Sequence, residues 1–201
     1  MPARATHIFL VFGSFLAGLV VFLAVFLYAT GQFGGNGSNV SGAAIGGPFT
    51  LTDQNGKPIT DKDLKGKPFL VFFGYTHCPD VCPTTLFDVS EVMRALGKDA
   101  DRTRALFISV DPDRDTPAVL KDYMSSFDPH LIGATGDQTA LDKVEKEYRV
   151  YAKKVPTGKD GDYSMDHSAI VYLMDKDGRF VAPFRLDRKP DRAAAELRKY
   201  M

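Results

Sequence analysis

The longest hydrophobic block in the chain comes first. From residue 8 to residue 29 no position carries a charge, and nearly every one is Phe, Leu, Val, Ala or Gly. As a helix this run would measure about 33 Å, enough to cross a hydrocarbon core of roughly 30 Å. It is too long for the apolar region of a secretory signal, and Leu27-Tyr28-Ala29-Thr30-Gly31 makes a poor cleavage site. The pattern therefore predicts an uncleaved membrane anchor over residues 1–30. Arg4 precedes the run and the next basic residue is Lys57. Positive charge stays cytoplasmic, so the remainder of the chain is expected to be translocated. The short leader is unlike the Arg-rich, Ser-rich mitochondrial type, which favours a bacterial inner membrane with the domain in the periplasm. Residues 31–47 are rich in Gly, Ser and Asn and predict a flexible tether. Residues 48–201 then form the folded domain.

Within that domain, apolar runs alternate with helical spacings. Residues 49–52 alternate as a short strand, followed by a turn at 54–57 and a polar connection over 59–64. Residues 69–75 are a continuous apolar run, as in a strand buried on both faces. Leu86, Val89, Val92, Met93 and Leu96 recur at helical spacing, and Gly97 supplies a stop. Residues 104–111 predict a second buried strand. Thr116-Pro117 then caps a helix with Val119, Leu120, Tyr123, Met124 and Phe127 inward. A strand at 131–134, a helix over 137–148, an extended stretch at 150–155 and a polar loop at 157–162 follow. Strands at 167–174 and 180–184 flank the hairpin turn Asp175-Lys176-Asp177-Gly178, and a last helix runs over 190–200. This order predicts an α/β sandwich with a parallel portion. A β-α-β-α unit followed by β-β-α, with a cysteine pair at the first helix, points to a thioredoxin-like fold.

Composition adds an exclusion. The 25 basic residues balance 25 acidic ones among 201, so there is no electrostatic case for a nucleic-acid partner. Nor does any Ser-His-Asp set, phosphate-cradling glycine loop or paired-carboxylate pattern stand out.

The candidate chemistry lies in Gly74-Tyr75-Thr76-His77-Cys78-Pro79-Asp80-Val81-Cys82-Pro83, which holds the only two cysteines. In an oxidising compartment a cysteine pair suggests a structural disulfide. A bridge across three residues, however, closes too short a loop to restrain the unfolded chain much. It reads instead as a bond made and broken in function. Residues i and i+4 of a helix have Cβ atoms about 5–6 Å apart, against nearly 3.8 Å in a relaxed disulfide, so bridging needs local adjustment. A helix N-terminus favours thiolate, which serves a nucleophile and a metal ligand alike. The three-residue spacing, longer than that of thioredoxin-type redox motifs, leaves room for a metal ion. Two thiolates suit a soft metal, and a third ligand would complete a trigonal Cu(I) site.

Four histidines compete for that third place. His7 borders the anchor. His130 follows a proline in a loop and reads as a surface residue. His77 adjoins Cys78, and its ring would have to fold back beside its neighbour. His167 opens a strand after a loop containing Tyr163-Ser164-Met165-Asp166, and on pattern alone reads more readily as a structural histidine than as a ligand. Asp80 fits either a contact behind the metal or a solvated loop carboxylate. Asp111-x-Asp113-x-Asp115 lacks the glycine and glutamate of a calcium loop and is interrupted by Pro117, which excludes calcium. These residues are expected to cap a helix, with Asp111 ending a strand near the cysteines.

Three motifs in order closely resemble the SCO/SenC family. They are residues 74–83, then Ser109-Val110-Asp111-Pro112-Asp113-Arg114-Asp115-Thr116-Pro117, then Asp166-His167-Ser168. The resemblance extends from about residue 48 to the end, and the anchor matches too. Members of that family are membrane-anchored, thioredoxin-fold copper proteins that assist cytochrome c oxidase assembly. The resemblance implies that Cys78, Cys82 and His167 bind copper, as Cu(I) or Cu(II). It also implies a metallochaperone for the CuA site, with cytochrome c oxidase subunit II as partner and another periplasmic copper chaperone as a second one. The alternative is a thiol-disulfide reductase in which Cys78 and Cys82 keep the subunit II cysteines reduced. A peroxidase or redox sensor, the third reading, lacks an evident basic group to activate its cysteine.

Overall fold

The computed structural model describes residues 16–26, 45–158, 161–186 and 189–201. The first stretch belongs to one compact unit and the others to a second. Residues 16–26 form a helix, α1, whose Leu, Val and Phe side chains are exposed, with the Phe22 and Phe26 rings stacked 6.3 Å apart. No helix among the described residues is long and apolar enough to cross a membrane. The rest of the expected anchor and nearly all of the expected tether lie outside the described residues.

The second unit is built on a seven-stranded sheet. In chain order its elements are β1 (Thr50–Asp53), β2 (Pro58–Thr60), α2 (Asp61–Leu64), β3 (Phe69–Gly74), α3 (Val81–Leu96) and β4 (Arg104–Ser109). They continue with α4 (Pro117–Met124), β5 (Leu131–Thr135), α5 (Gln138–Tyr148), β6 (Ala152–Pro156), β7 (Tyr163–His167), β8 (Val171–Met174), β9 (Phe180–Pro183) and α6 (Pro190–Leu197). The sheet order is β2-β1-β5-β4-β3-β8-β9. The central β3, β4 and β5 are parallel, whereas β1 and β8 join them antiparallel. The α/β, thioredoxin-like expectation is met, with β3-α3-β4 and the β8–β9 hairpin with α6 as its two halves.

Every residue of β3 is buried, which is why its sequence shows no alternation. Its two faces nevertheless have distinct neighbours. Phe73 packs 5.4 Å from Tyr148 of α5, which also meets Tyr172 of β8 at 5.9 Å between ring centroids. On the other face Phe72, Phe107 and Gly133 sit side by side across three strands. There Tyr123 of α4 lies 5.9 Å from Phe107, and Met124 occupies the space a side chain at position 133 would need. Helix α3 packs against α6, whose Ala193, Ala194 and Leu197 are buried. The predicted stops hold as well: Gly97 ends α3 at φ 58°, and Thr116 caps α4 by accepting from the Val119 amide at 3.3 Å.

Near the beginning of this unit Ile45 packs against the core and the Gly46 amide donates to Glu147 O at 2.8 Å. Met174, the register partner of Phe69, lies against Gly46, which marks the start of β3. The cysteine motif leaves β3 at its other end, after Gly74.

Two expectations need correction. The strand expected over 167–174 is two strands, since β7 ends at His167 and β8 starts at Val171. The stretch before it, read as a loop, is the second arm of a β6–β7 hairpin that pairs with no other strand among the described residues. Exposed on nearly every β6 position, this hairpin lacks the apolar run that betrays a core strand.

His130 is also more than a surface residue. Its Nδ1 lies 2.7 Å from Asp128 and its Nε2 3.2 Å from Asp101, with the side chain 28% exposed. Desolvation acts to lower its pKa, but the two carboxylates outweigh it and hold the pKa above the ordinary 6.5. The associated stability is therefore complete below pH 6.5 and is lost as pH rises through the folded-state value. Urea melts at stepped pH values are expected to show a decline with rising pH in the parent that His130→Gln flattens. Identical slopes in the two proteins would contradict this.

Candidate metal centre

The end of β3 is shaped to admit a sulfur atom. A side chain at Gly74 would put its Cβ 2.7 Å from Cys82 Sγ and 2.8 Å from the Phe107 ring, so the bare backbone makes room for the thiol. After Gly74 the chain turns, with the Cys78 amide donating to Tyr75 O at 3.3 Å, and α3 begins at Val81. Cys82 is thus the second residue of the helix and fully buried, while Cys78 sits in the preceding loop, partly exposed. The Cys82 amide points at Cys78 Sγ from 3.3 Å, the use of a free helix N–H expected at a helix start. Both cysteines are free thiols.

The third group arrives from the far side of the sequence. His167, the last residue of β7, places Nε2 3.5 Å from Cys82 Sγ across a separation of 85 residues. Its Nδ1 lies 3.2 Å from the Ser168 carbonyl, an oxygen that can only accept. The proton therefore belongs on Nδ1, which leaves the Nε2 lone pair facing the sulfur. The ring is held edge-on by Tyr75 at 5.7 Å and Phe72 at 6.3 Å between centroids. Ligand atoms of Cys78, Cys82 and His167 all lie within 4.8 Å of one another.

Two sulfurs and an unprotonated imidazole nitrogen make a soft donor set, and no carboxylate among the described residues enters the cluster. That chemistry fits Cu(I) and argues against magnesium or calcium. One electrostatic expectation is revised. The helix start was expected to favour thiolate at both cysteines, but burial pushes the Cys82 thiol well above its usual range. The same burial would favour neutralising the charge with a bound cation, so uptake of a metal must expel a proton there.

His77, the competing histidine, is exposed and lies 3.1 Å from Thr76 Oγ1 through its Nδ1, outside the cluster. Asp80 is exposed and accepts from the Thr84 amide through its backbone oxygen at 3.1 Å, which places it at the cap of α3.

The Asp111–Asp115 segment lies near the cysteines as expected, but its carboxylates act as a clamp that no local pattern reveals. Asp115 is fully buried and accepts from the Thr76 amide at 2.9 Å, Thr76 Oγ1 at 2.6 Å and Ser109 Oγ at 2.6 Å. It thereby ties the cysteine loop to the end of β4. Asp111, equally buried, pairs with Arg114 and accepts from the Tyr163 hydroxyl at 2.8 Å. Repeated acidic residues at the end of a buried strand read as a helix cap, but Thr116 takes that place on α4 while Asp111 and Asp115 turn inward.

Comparison with known proteins agrees with this arrangement. The SCO1/SenC family model matches residues 38–201. The structure of Bradyrhizobium japonicum ScoI with copper bound is 70% identical, with a TM-score of 0.77, and covers 79% of this chain and all of that one (100%). Yeast Sco1 with copper bound is 38% identical at a TM-score of 0.71, covering 78% of this chain and 88% of that one. The mitochondrial SCO1 homolog of Homo sapiens is 41% identical over 160 residues, 78% of this chain and 53% of that protein. The chain spans about half the length of the curated mitochondrial SCO1 and SCO2 relatives from mouse, yeast and human. With a family model matched across the whole folded unit and a close structural relative sharing most of its sequence, this chain belongs to the SCO1/SenC family.

Proposed function

We propose that this protein is a copper metallochaperone that helps to assemble the CuA site of cytochrome c oxidase, with Cys78, Cys82 and His167 as copper ligands. The observation that carries the reading is the convergence of those three donor atoms within 4.8 Å. The copper-bound relatives and the family membership support it. Copper is cargo here, held by three ligands and surrendered by exchange. Cys78 is the partly exposed sulfur and Cys82 the buried one, so an incoming thiolate from the acceptor meets Cys78 first. Cytochrome c oxidase subunit II is the expected acceptor, and another periplasmic copper chaperone the expected donor.

The uncharged run over residues 8–29 supports anchoring in a bacterial inner membrane, with residues 48–201 in the periplasm on the tether of 31–47. Gly46 packs at the start of β3, the end of that strand opposite Gly74 and the cysteine motif.

A second reading is favoured by the two free thiols. As a thiol-disulfide reductase, the Cys78 thiolate would attack a disulfide of subunit II, and Cys82 would resolve the mixed disulfide, leaving the target reduced and this chain oxidised. Copper titration of the full chain in detergent, followed by sulfur-to-copper charge transfer, separates the two. The chaperone reading requires near-stoichiometric uptake. A protein without copper-dependent absorption that still reduces a disulfide, with or without His167, would favour the reductase.

A further inference from the structure

The sheet that leads into the cysteine motif does not carry His167. Two of the three proposed ligands belong to the β3–α3 junction at the centre of the seven-stranded sheet, whereas His167 ends one arm of the separate two-stranded β6–β7 hairpin. An isolated hairpin of this kind is marginal on its own. Four of the five β6 residues are exposed, and Met165 is the one buried residue of β7. Something besides backbone pairing must hold the imidazole in place.

Arg114 is the residue built for this. Its guanidinium pairs with the buried Asp111 through Nε and donates from Nη1 to the carbonyl of Tyr163, the first residue of β7, at 2.9 Å. It lies 3.8 Å above the centroid of the Tyr163 ring, while the Tyr163 hydroxyl returns to Asp111 at 2.8 Å. Arg114, Asp111 and Tyr163 thus close a ring of contacts between the loop after β4 and the base of β7. The guanidinium is also 5.7 Å from the Tyr75 ring. That tyrosine shares a 3.1 Å hydrogen bond with Ser164 and meets His167 edge-on. The side chain is only 19% exposed, and its Nη2 is buried without a hydrogen-bond partner among the described residues. Stability alone does not favour leaving a buried guanidinium donor unpaired. Planar pairing with a carboxylate, a carbonyl and an aromatic face at once is something lysine could not supply.

We propose that Arg114 is a positioning residue for His167: it fastens the β6–β7 hairpin to the Asp111 loop and so sets the distance between the imidazole and the two sulfurs. It touches none of the three ligands and acts through Tyr163 and Tyr75. The proposal rests on the copper reading only for its second readout.

The test uses Arg114→Met, Arg114→Lys and the milder Tyr163→Phe, in full-length protein. In the metal-free state, amide hydrogen exchange is followed separately for β7 and for the β3–β4 core. Arg114→Met is expected to speed exchange in β7 by about tenfold or more while the core keeps its protection, with Arg114→Lys failing to restore it. Tyr163→Phe is expected to give a smaller change of the same kind. In the copper-loaded state, the thiolate charge-transfer spectrum of Arg114→Met should shift toward that of His167→Ala, with both sulfurs retained. Unchanged β7 exchange in both Arg114 variants overturns the proposal whatever copper does. A uniform loss of protection across β7 and the core also overturns it, because the arginine is then a general stabiliser. If the parent takes up no copper, the chaperone reading falls and the exchange result still decides whether Arg114 holds the hairpin.

Discussion

His167→Ala, Cys78→Ala and Cys82→Ala are each expected to lower copper affinity by more than about 100-fold. Residues that merely support metal ligands carry roughly 10–100-fold, so loss of one of three donors must exceed that range. The cluster contains no spare: among the described residues it is the one grouping of three or more Cys, His, Asp or Glu ligand atoms with this proximity. His77 cannot substitute from its exposed place beside Thr76, and His77→Ala should bind as the parent does. Because burial holds the Cys82 thiol protonated, copper uptake should release a proton and weaken as pH falls. Competition titrations against a Cu(I) chelator measure all four variants. Normal binding by the three ligand variants would remove the proposed site altogether. Cys82→Ser should accompany Cys82→Ala, since it lacks the thiolate but fills most of the space beside Gly74.

Asp115→Ala should cost about 3 kcal/mol of folding stability, and is the largest loss expected outside the apolar core. Removing a buried carboxylate strands its donors, at roughly 1–3 kcal/mol for each one that water cannot reach. Asp115 serves three, from Thr76 and Ser109. Ser109 is fully buried, whereas Thr76 is partly exposed and can recover some hydration, which keeps the total below the sum. Asp115→Asn preserves the shape and one acceptor oxygen and should lose less. Thr76 lies two residues before Cys78, so copper affinity should fall with stability in Asp115→Ala, by about 10–100-fold. Urea denaturation at neutral pH is the measurement, and a loss under about 0.5 kcal/mol would show that Asp115 is not the clamp its contacts describe.

These two expectations differ in how far they could be read from the chain. Cys78 and Cys82 announce themselves by type and spacing, between a buried-strand run and a helical period. Asp115 does not, because a carboxylate in a loop looks the same whether solvent or three donors surround it. His130 makes the same point, since a proline-flanked histidine reads as surface until Asp101 and Asp128 are found on either side of it.

By itself, the sequence determined the elements whose signals are local. These include the unbroken apolar run of β3, the helical period of α3 with its Gly97 stop, the Thr116 cap and the turn between β8 and β9. Each depends on side-chain period or on backbone preferences within a few residues. Family resemblance added His167, which pattern alone left as a structural histidine. Only the tertiary structure decided how that residue reaches Cys82, by way of an exposed hairpin with no apolar run to reveal it and a clamp of Arg114, Asp111 and Tyr163. Such contacts join residues about 50 to 85 positions apart, and their energy comes from burial and pairing that exist only once the sheet has assembled. The cysteine pair was legible from the chain, but the place where a metal could sit between it and His167 was not.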